Sequence, residues 1–384
     1  MKKQLNVVMF WFMRDWGLYG RAYEQIAAHL AARPEIGRVL VVLAPYEGGP
    51  TEYVWPLKIS QASRKLWALS ISTQVVPTDR APYRLRKWAN STLPKMAFLT
   101  LTKLLGFRRS NTLLWLYPPH NFIGQIQKLI SNIGQVVQIV DNNMHQEFAS
   151  DGERRSAHQQ YESLVASADC VIVSSQSNYD FFSGQNNNTF LFENAMDSAF
   201  LRPASILPCK FTNTRPRLGY LGFLTERTDT DLLEKLAIQK PHYDVILAGP
   251  LRSADISKLL ALSNVTWLGS VAHEDVPALI SSFDLCLIPH RDTPYSRSMS
   301  PLKLFQYLGS GRPIVTTRVA GTERWDEHIF IADSHEDFIS KIDIALNSET
   351  IEKAEARIAA AKCESWEIRI GQILTKVLGV IEFK

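Results

Sequence analysis

Short apolar runs alternate with stretches of helical periodicity along the whole chain. In the first half the runs fall at 5–12, 39–43, 112–117, 136–140, 170–173 and 189–192. In the second half they fall at 217–221, 243–248, 265–268, 284–288, 314–317 and 329–332. Most are uniformly apolar, as expected for strands covered on both faces. Between them, helical patterns occupy 21–32, 122–133, 153–166, 231–238 and 276–282. Strand and helix in alternation predict an α/β protein with parallel sheets. Two such sets predict two doubly wound, Rossmann-like domains. The stretch 203–216 holds Pro203, Pro208 and Pro216 without clear periodicity, which suits a linker. Expected boundaries are 1–205, 206–364 and a final helical segment 365–384, with Trp366, Ile370, Ile373, Leu374 and Val377 on one side.

One segment breaks the alternation. Residues 80–109 are rich in Lys and Arg and contain no Asp or Glu. Leu93, Met96, Ala97, Leu101, Leu104 and Leu105 can share an apolar helix face there, flanked by Lys95, Lys103, Arg108 and Arg109. A basic amphipathic segment suits an anionic membrane surface, although an ordinary helix packed on its own domain has the same pattern.

Composition narrows the class. The chain has 384 residues, enough for two domains with substantial cores, and 46% hydrophobic residues argue against disorder. A formal net charge of +4 is too small for a dedicated nucleic-acid binder. The four cysteines, Cys170, Cys209, Cys286 and Cys363, are far apart and form no metal-ligand spacing, which fits a reduced compartment. Lys2 and Lys3 precede an apolar run, but Asn6 interrupts it and no small-residue cleavage site follows, so a first buried strand is expected rather than a signal peptide. No apolar run reaches the about 18 residues needed to span a bilayer. The expectation is a cytoplasmic protein, peripheral at the membrane if residues 80–109 bind there.

Candidate chemistry concentrates in 283–321. An apolar run ends near Ile288, a loop carries His290, Arg291 and Arg297, and Ser300-Pro301 reads as a helix start with Gly311 as its stop. A helix N-terminus with Lys303 in its first turn suits a phosphate or diphosphate. Gln306 lies three residues on, so its amide shares Lys303's face and can reach hydroxyls. The same spacing also describes a helix packed on a sheet, with Lys303 and Gln306 solvated.

Pro301-Leu302-Lys303-Leu304-Phe305-Gln306-Tyr307 followed by Gly311-Arg312-Pro313-Ile314-Val315 resembles the donor-nucleotide segment of GT-B glycosyltransferases. Many retaining members carry two Glu residues where this chain has Ser298 and Gln306, eight positions apart. The Lys-x-x-Gln-Tyr form is more similar to the inverting glucuronosyltransferase of xanthan assembly. The resemblance covers most of the second half and the first half only in outline. It extends to Gly219-Tyr220-Leu221-Gly222-Phe223, similar to the turn beside the donor diphosphate, and to Asn264–Gly269, which leads to the base-binding loop. A weaker match is Glu193–Phe200, where Ala195 replaces the usual Gly.

The resemblance implies two domains facing a cleft, with the last helix returning to the N-terminal domain. It also implies donor contacts at Gly222, Phe223, Gly249, Ser270, His273, His290, Arg297, Met299, Ser300, Lys303 and Gln306. Strand ends in an open sheet line the ligand crevice. That points to Asp15, Trp16 and Gly17 on the acceptor side and to Asp141 as the general base, with His145 and Glu147 in reserve. Asp141 also falls roughly where the xanthan-type enzymes carry their base. Asp-Asn-Asn at 141–143 equally suits a turn. Asp229 and Asp231 form an Asp-x-Asp, but they precede a helical run, where capping is the expected role and metal binding is not.

The expected function is transfer of a sugar from a nucleoside diphosphate to a hydroxyl of a glycan or polyprenyl-linked acceptor, by inversion, with no cofactor and no metal. A nucleotide-sugar epimerase of the same architecture and a non-catalytic nucleotide-sugar-binding protein are the alternatives.

Overall fold

The structure, a computed structural model, describes residues 4–11, 13, 16–47, 52–77, 80–145, 149–201 and 215–382. Arg14, Asp15, Glu147 and the linker residues 203–214 lie outside them, as does the domain boundary at 205 and 206. The chain forms two compact units. The first comprises Met1–Val173, Tyr179–Leu191 and Ile370–Lys384; the second comprises Ser174–Asn178 and Phe192–Arg369.

The first unit runs β1 (Leu5–Phe10), α1 (Ala22–Ala32), β2 (Ile36–Glu47), β3 (Leu57–Ser63), β4 (Leu66–Gln74), α2 (Tyr83–Leu104), β5 (Thr112–Leu116), α3 (Ile123–Leu129), β6 (Gly134–Ile139), α4 (Asp151–Ser167), β7 (Cys170–Val173), α5 (Gln176–Phe182) and β8 (Thr189–Leu191). These strands form an 8-stranded sheet in the order β3-β4-β2-β1-β5-β6-β7-β8. All pairs are parallel except β3 with β4. The order turns back at β1, which has β2 on one side and β5 on the other. β1, β5, β6 and β7 are almost wholly buried, which is why they read as continuous apolar runs. α4 opens on a capping box: Ser150 Oγ accepts from the Glu153 N–H, and the Glu153 carboxylate accepts from the Ser150 N–H.

The β3–β4 hairpin was not expected from the sequence. β3 is mostly exposed and carries Lys58, Ser60, Gln61 and Ser63, so it has no apolar run to reveal it. The basic segment does form one helix, α2, but its packed side is rotated from the expected face. Pro94, Phe98 and Thr102 are buried, whereas Met96 and Leu104 are 57% and 79% exposed.

The second unit runs β9 (Arg217–Leu221), α6 (Thr230–Gln239), β10 (Asp244–Ala248), α7 (Ser257–Leu260), β11 (Val265–Trp267), α8 (Val276–Ser281), β12 (Leu285–Ile288), α9 (Pro294–Arg297), α10 (Leu302–Ser310), β13 (Ile314–Thr317), β14 (Phe330–Ala332), α11 (His335–Asn347), α12 (Ile351–Cys363) and α13 (Trp366–Glu382). Its 6-stranded, all-parallel sheet has the order β11-β10-β9-β12-β13-β14, turning back at β9. Helices cover both faces. One cluster packs α6 and α11 on the sheet through Leu232, Leu236, Phe338 and Ile342; the other packs α8 and α10 through Ile280, Leu304, Phe305 and Leu308. Asp229 caps α6, its carboxylate accepting from the Leu232 N–H and pairing with His335. α13 starts in the second unit, and its residues from Ile370 belong to the first.

Candidate functional site

The site in the second unit is built at the carboxyl ends of β9 and β12 and the start of α10. Gly311 ends α10 in the left-handed conformation, φ 71°. The start differs from the sequence expectation. Pro301 is the N-cap, and Ser300 does not cap the helix. Instead the Ser300 hydroxyl accepts from the Asn194 N–H at 3.1 Å, and its carbonyl accepts from Asn194 Nδ2 at 2.7 Å. A second buried amide, Asn178 Nδ2, donates to the Ser298 carbonyl at 2.8 Å. These two asparagines hold the 298–300 loop, so the first N–H groups of α10 have no side-chain cap.

Lys303 lies in that uncapped first turn. Its Nζ sits 4.0 Å above the Tyr220 ring and 3.0 Å from His290 Nε2. An ammonium can only donate, so His290 Nε2 accepts and the imidazole is neutral with its proton on Nδ1. Burial holds His290 well below its ordinary pKa, and the charges of Lys303 and Arg227 add to the effect. Burial also lowers the pKa of Lys303. Burial pushes the Tyr220 phenol up, but the charge and hydrogen bond of Lys303, the Thr228 hydrogen bond and the Arg227 charge together outweigh it, leaving Tyr220 below its ordinary value. Among the described residues no carboxylate pairs with Lys303. Arg227 approaches the same loop, its guanidinium against Met299 Sδ and over the Tyr295 ring at 5.4 Å. Two cations with no acidic partner among the described residues, beside uncapped helix N–H groups, make a site for an anion.

Glycines admit the close approaches. Gly222 has φ 136°, and a Cβ there would lie 3.0 Å from Lys303 Nζ. Gly249 has φ 134°, and its Cβ would lie 2.1 Å from the Gly222 carbonyl oxygen. No side chain fits at either position. Gln306 is 8% exposed, one turn along α10 from Lys303, and no protein partner for its amide is among the described residues. Phe223 lies under the Arg252 guanidinium at 5.1 Å. His273 sits 3.6 Å from Asp197 and near the Phe200 ring, and Ser270 is exposed. Arg297 is not drawn into the cation cluster: it pairs with Asp292 at 2.8 Å on the exposed surface. Ser298 is fully buried, and its hydroxyl donates to the Tyr295 carbonyl at 2.7 Å.

In the first unit, Asp141 follows β6, and its carbonyl accepts from the Tyr161 hydroxyl at 3.0 Å. Asn142 forms the turn, its side-chain oxygen accepting from the Met144 N–H. His145 is exposed at the surface, and partial desolvation of its imidazole lowers its pKa. After β1, Trp11 stacks on Tyr23 at 3.8 Å and meets Tyr117 edge-on, with Trp16 5.8 Å from Tyr23. Gly17 has φ 80°, and its N–H donates to Glu24. Asp15 lies outside the described residues.

Two open, mostly parallel sheets covered by helices make a fold that this chain shares with solved structures. The chain superposes on sucrose-phosphate synthase (tll1590) from Thermosynechococcus elongatus with a TM-score of 0.73 at 16% identity, covering 99% of this chain and 100% of that one. It superposes on Anabaena Alr3699/HepE, solved in complex with UDP and glucose, with a TM-score of 0.65 at 16% identity, covering 98% and 100%. The fold is GT-B. Residues 215–348, most of the second unit, match the family described as Glycosyl transferases group 1. The putative teichuronic acid biosynthesis glycosyltransferase TuaH of Bacillus subtilis (strain 168) is 29% identical over 165 residues, which are 41% of this chain and 42% of that relative.

Within this GT-B chain, four residues that shape the anion site have no role assigned from the sequence: Asn194 and Tyr307 stand inside quoted motifs, and Arg227 and Asn178 outside them. Arg227 stands six residues beyond Leu221, the end of β9, too far along the loop to read as a strand-end residue. Asn178 and Asn194 act over separations of 120 and 106 residues, for which no local pattern exists. Tyr307, quoted only as part of the motif, is fully buried, and its hydroxyl accepts from the Leu221 N–H at 2.8 Å, tying α10 to the end of β9.

Proposed function

We propose that this chain is a glycosyltransferase that moves a sugar from a nucleoside diphosphate to a hydroxyl of a glycan or polyprenyl-linked acceptor. The observation that carries the reading is Lys303: a half-buried ammonium that no carboxylate among the described residues pairs with, at the uncapped start of α10 and next to Arg227. A diphosphate is the anion that such a site and the GT-B fold together favour. Residues 206–364 are assigned to the donor and 1–205 to the acceptor, with the helix from 365 completing the fold.

In the proposed reaction the acceptor oxygen attacks the anomeric carbon. The bond from that carbon to the diphosphate oxygen breaks, and its electron pair leaves with the diphosphate. Lys303, Arg227 and the α10 N–H groups stabilise that charge. Asp141 takes the acceptor's proton, and configuration inverts. Gln306 is assigned to donor hydroxyls, and the backbone at Ser270–His273 to the base. The test is release of nucleoside diphosphate when purified protein meets a panel of nucleotide sugars and lipid-linked or oligosaccharide acceptors. Release that requires the acceptor supports transfer. Release without acceptor consumption, or interconversion of the donor sugar alone, overturns it.

Residues 80–109 are further assigned to an anionic membrane surface. Tyr83, Leu85 and Trp88 are 64%, 54% and 55% exposed, beside Arg84, Arg86 and Lys87. No helix among the described residues is long and apolar enough to cross a membrane.

A further inference from the structure

The first unit contains a cavity to which the transfer reading has so far assigned no ligand. Its volume is about 230 Å³. It lies at the carboxyl end of β1 and over the later halves of β2 and β4, reaching Phe10, then Val42, Leu43 and Pro45, and Ser72. Open α/β sheets bind ligands at that edge. Ile126 and Leu129 of α3 form one wall, and the turn of α2 from Asn90 to Lys95 covers it.

The lining chemistry is selective. The walls are mainly apolar, and the less exposed polar groups, Asn90 and Ser72, are already paired; Thr73, Ser91, Lys95 and Gln125 are exposed. The Asn90 side-chain oxygen accepts from the N–H groups of Val75 and Val76 at 2.9 and 2.7 Å, and its amide donates to the Val76 carbonyl. Ser72 Oγ accepts from the Gln74 N–H at 3.1 Å. Water would find few hydrogen-bond partners, and an apolar cavity of this order holds a small hydrocarbon instead. Pro94, buried in the covering turn, cannot donate to the Asn90 carbonyl, so the helical ladder is interrupted where α2 passes over the cavity.

Charge sets the other end of the ligand. Lys95 and Ser91 line the cavity yet are exposed, so they stand at its rim. No carboxylate among the described residues pairs with Lys95, and residues 80–109 contain no acid at all.

We infer that this cavity binds the hydrocarbon chain of an anionic amphiphile, with the chain against Phe10, Val42 and Ile126 and the phosphate-like head at Lys95. The inference rests on the glycosyl-transfer reading only for its purpose, since it names the lipid part of the acceptor as what the first unit holds. The binding itself requires no donor and no turnover.

The experiment is equilibrium dialysis of the full chain with radiolabelled decyl phosphate below its micelle-forming concentration, compared with decanol and inorganic phosphate. Decyl phosphate should bind saturably at one site, decanol several-fold more weakly, and inorganic phosphate should not compete. Ser91→Trp, which fills the rim, should weaken decyl phosphate and decanol at least tenfold while nucleotide affinity stays unchanged. Lys95→Gln should bring decyl phosphate down to the affinity of decanol. No saturable binding, or equal affinity in Ser91→Trp, overturns the site; unchanged decyl phosphate affinity in Lys95→Gln overturns the placement of the head. If Ser91→Trp does not fold, a diazirine-bearing alkyl phosphate crosslinked to the natural protein must label peptides of α2 or α3, and labelling elsewhere overturns the assignment. Chain binding without sugar transfer would leave this site standing and count against the transfer reading; transfer without chain binding would do the reverse.

Discussion

A half-buried, partly desolvated ammonium that no carboxylate among the described residues pairs with costs stability in the empty protein and favours an anion when one arrives. Lys303 therefore makes a two-sided prediction. Its pKa in the fold lies below the unfolded value, so unfolding takes up a proton at pH values between the two. Stability rises as pH climbs through that window, and the full cost is present below it. Lys303→Met should raise the nucleotide-free melting temperature by about 2–4 °C, the effect of roughly 1 kcal/mol in a unit of this size. The same change should lower nucleotide affinity tenfold or more, as loss of a charge-assisted contact worth about 1.5–3 kcal/mol. Calorimetry with and without nucleotide reads both; unchanged affinity would remove Lys303 from the site. At Asp141, replacement by Asn keeps the size but cannot accept a proton. Turnover should fall about 10²–10⁴-fold with donor affinity near normal. If turnover persists, the base lies elsewhere. Both residues could be picked out in the sequence because each stands at a recognisable boundary, a helix start or a strand end. Arg227 could not, since its relevance comes from a loop that folds back on Met299.

Among the elements, α10 and α2 are the two whose surroundings decide what they do. The start of α10 depends on asparagines supplied by distant segments. Asn194→Ala removes the side-chain amide's hydrogen bond to the Ser300 carbonyl and leaves that buried carbonyl unsatisfied, at a cost of about 1–3 kcal/mol, while the backbone N–H that donates to the Ser300 hydroxyl remains. The loop that precedes Lys303 should loosen, so KM for the donor should rise more than kcat falls. Equal KM with lower stability would mean that the loop's position is set by other contacts. For α2, replacing Arg84, Arg86 and Lys87 with Gln should shift protein from anionic vesicles to the supernatant on sedimentation, and added salt should mimic the change. Equal sedimentation of both proteins would make α2 part of the fold alone. The helix was legible from its periodicity. Its packed side was not, because Pro94 and Phe98 choose the contact with β4 and Met96 is left outside.

Across the whole molecule, sequence order and compact unit do not coincide. The first unit takes in Ile370–Lys384, and the second takes in Ser174–Asn178. Ile370 and Ile373 of α13 are 0% and 1% exposed. Ile373→Ala should therefore destabilise the chain by about 2–5 kcal/mol, measured by denaturant unfolding. A loss within 0.5 kcal/mol, the range of surface changes, would mean that the helix end contributes little. The sequence by itself determined the α/β class, nearly all the buried strands and the Lys-x-x-Gln-Tyr helix, because uniform apolar runs and helix stop signals are properties of neighbouring residues. It did not determine the β3–β4 hairpin, whose exposed strand has no apolar signature. Nor did it determine the asparagine clamp on the 298–300 loop, the arrival of Arg227 beside Met299, or the cavity under Pro94. Those depend on groups far apart in the chain meeting at strand ends, and only the tertiary structure decides which of them meet.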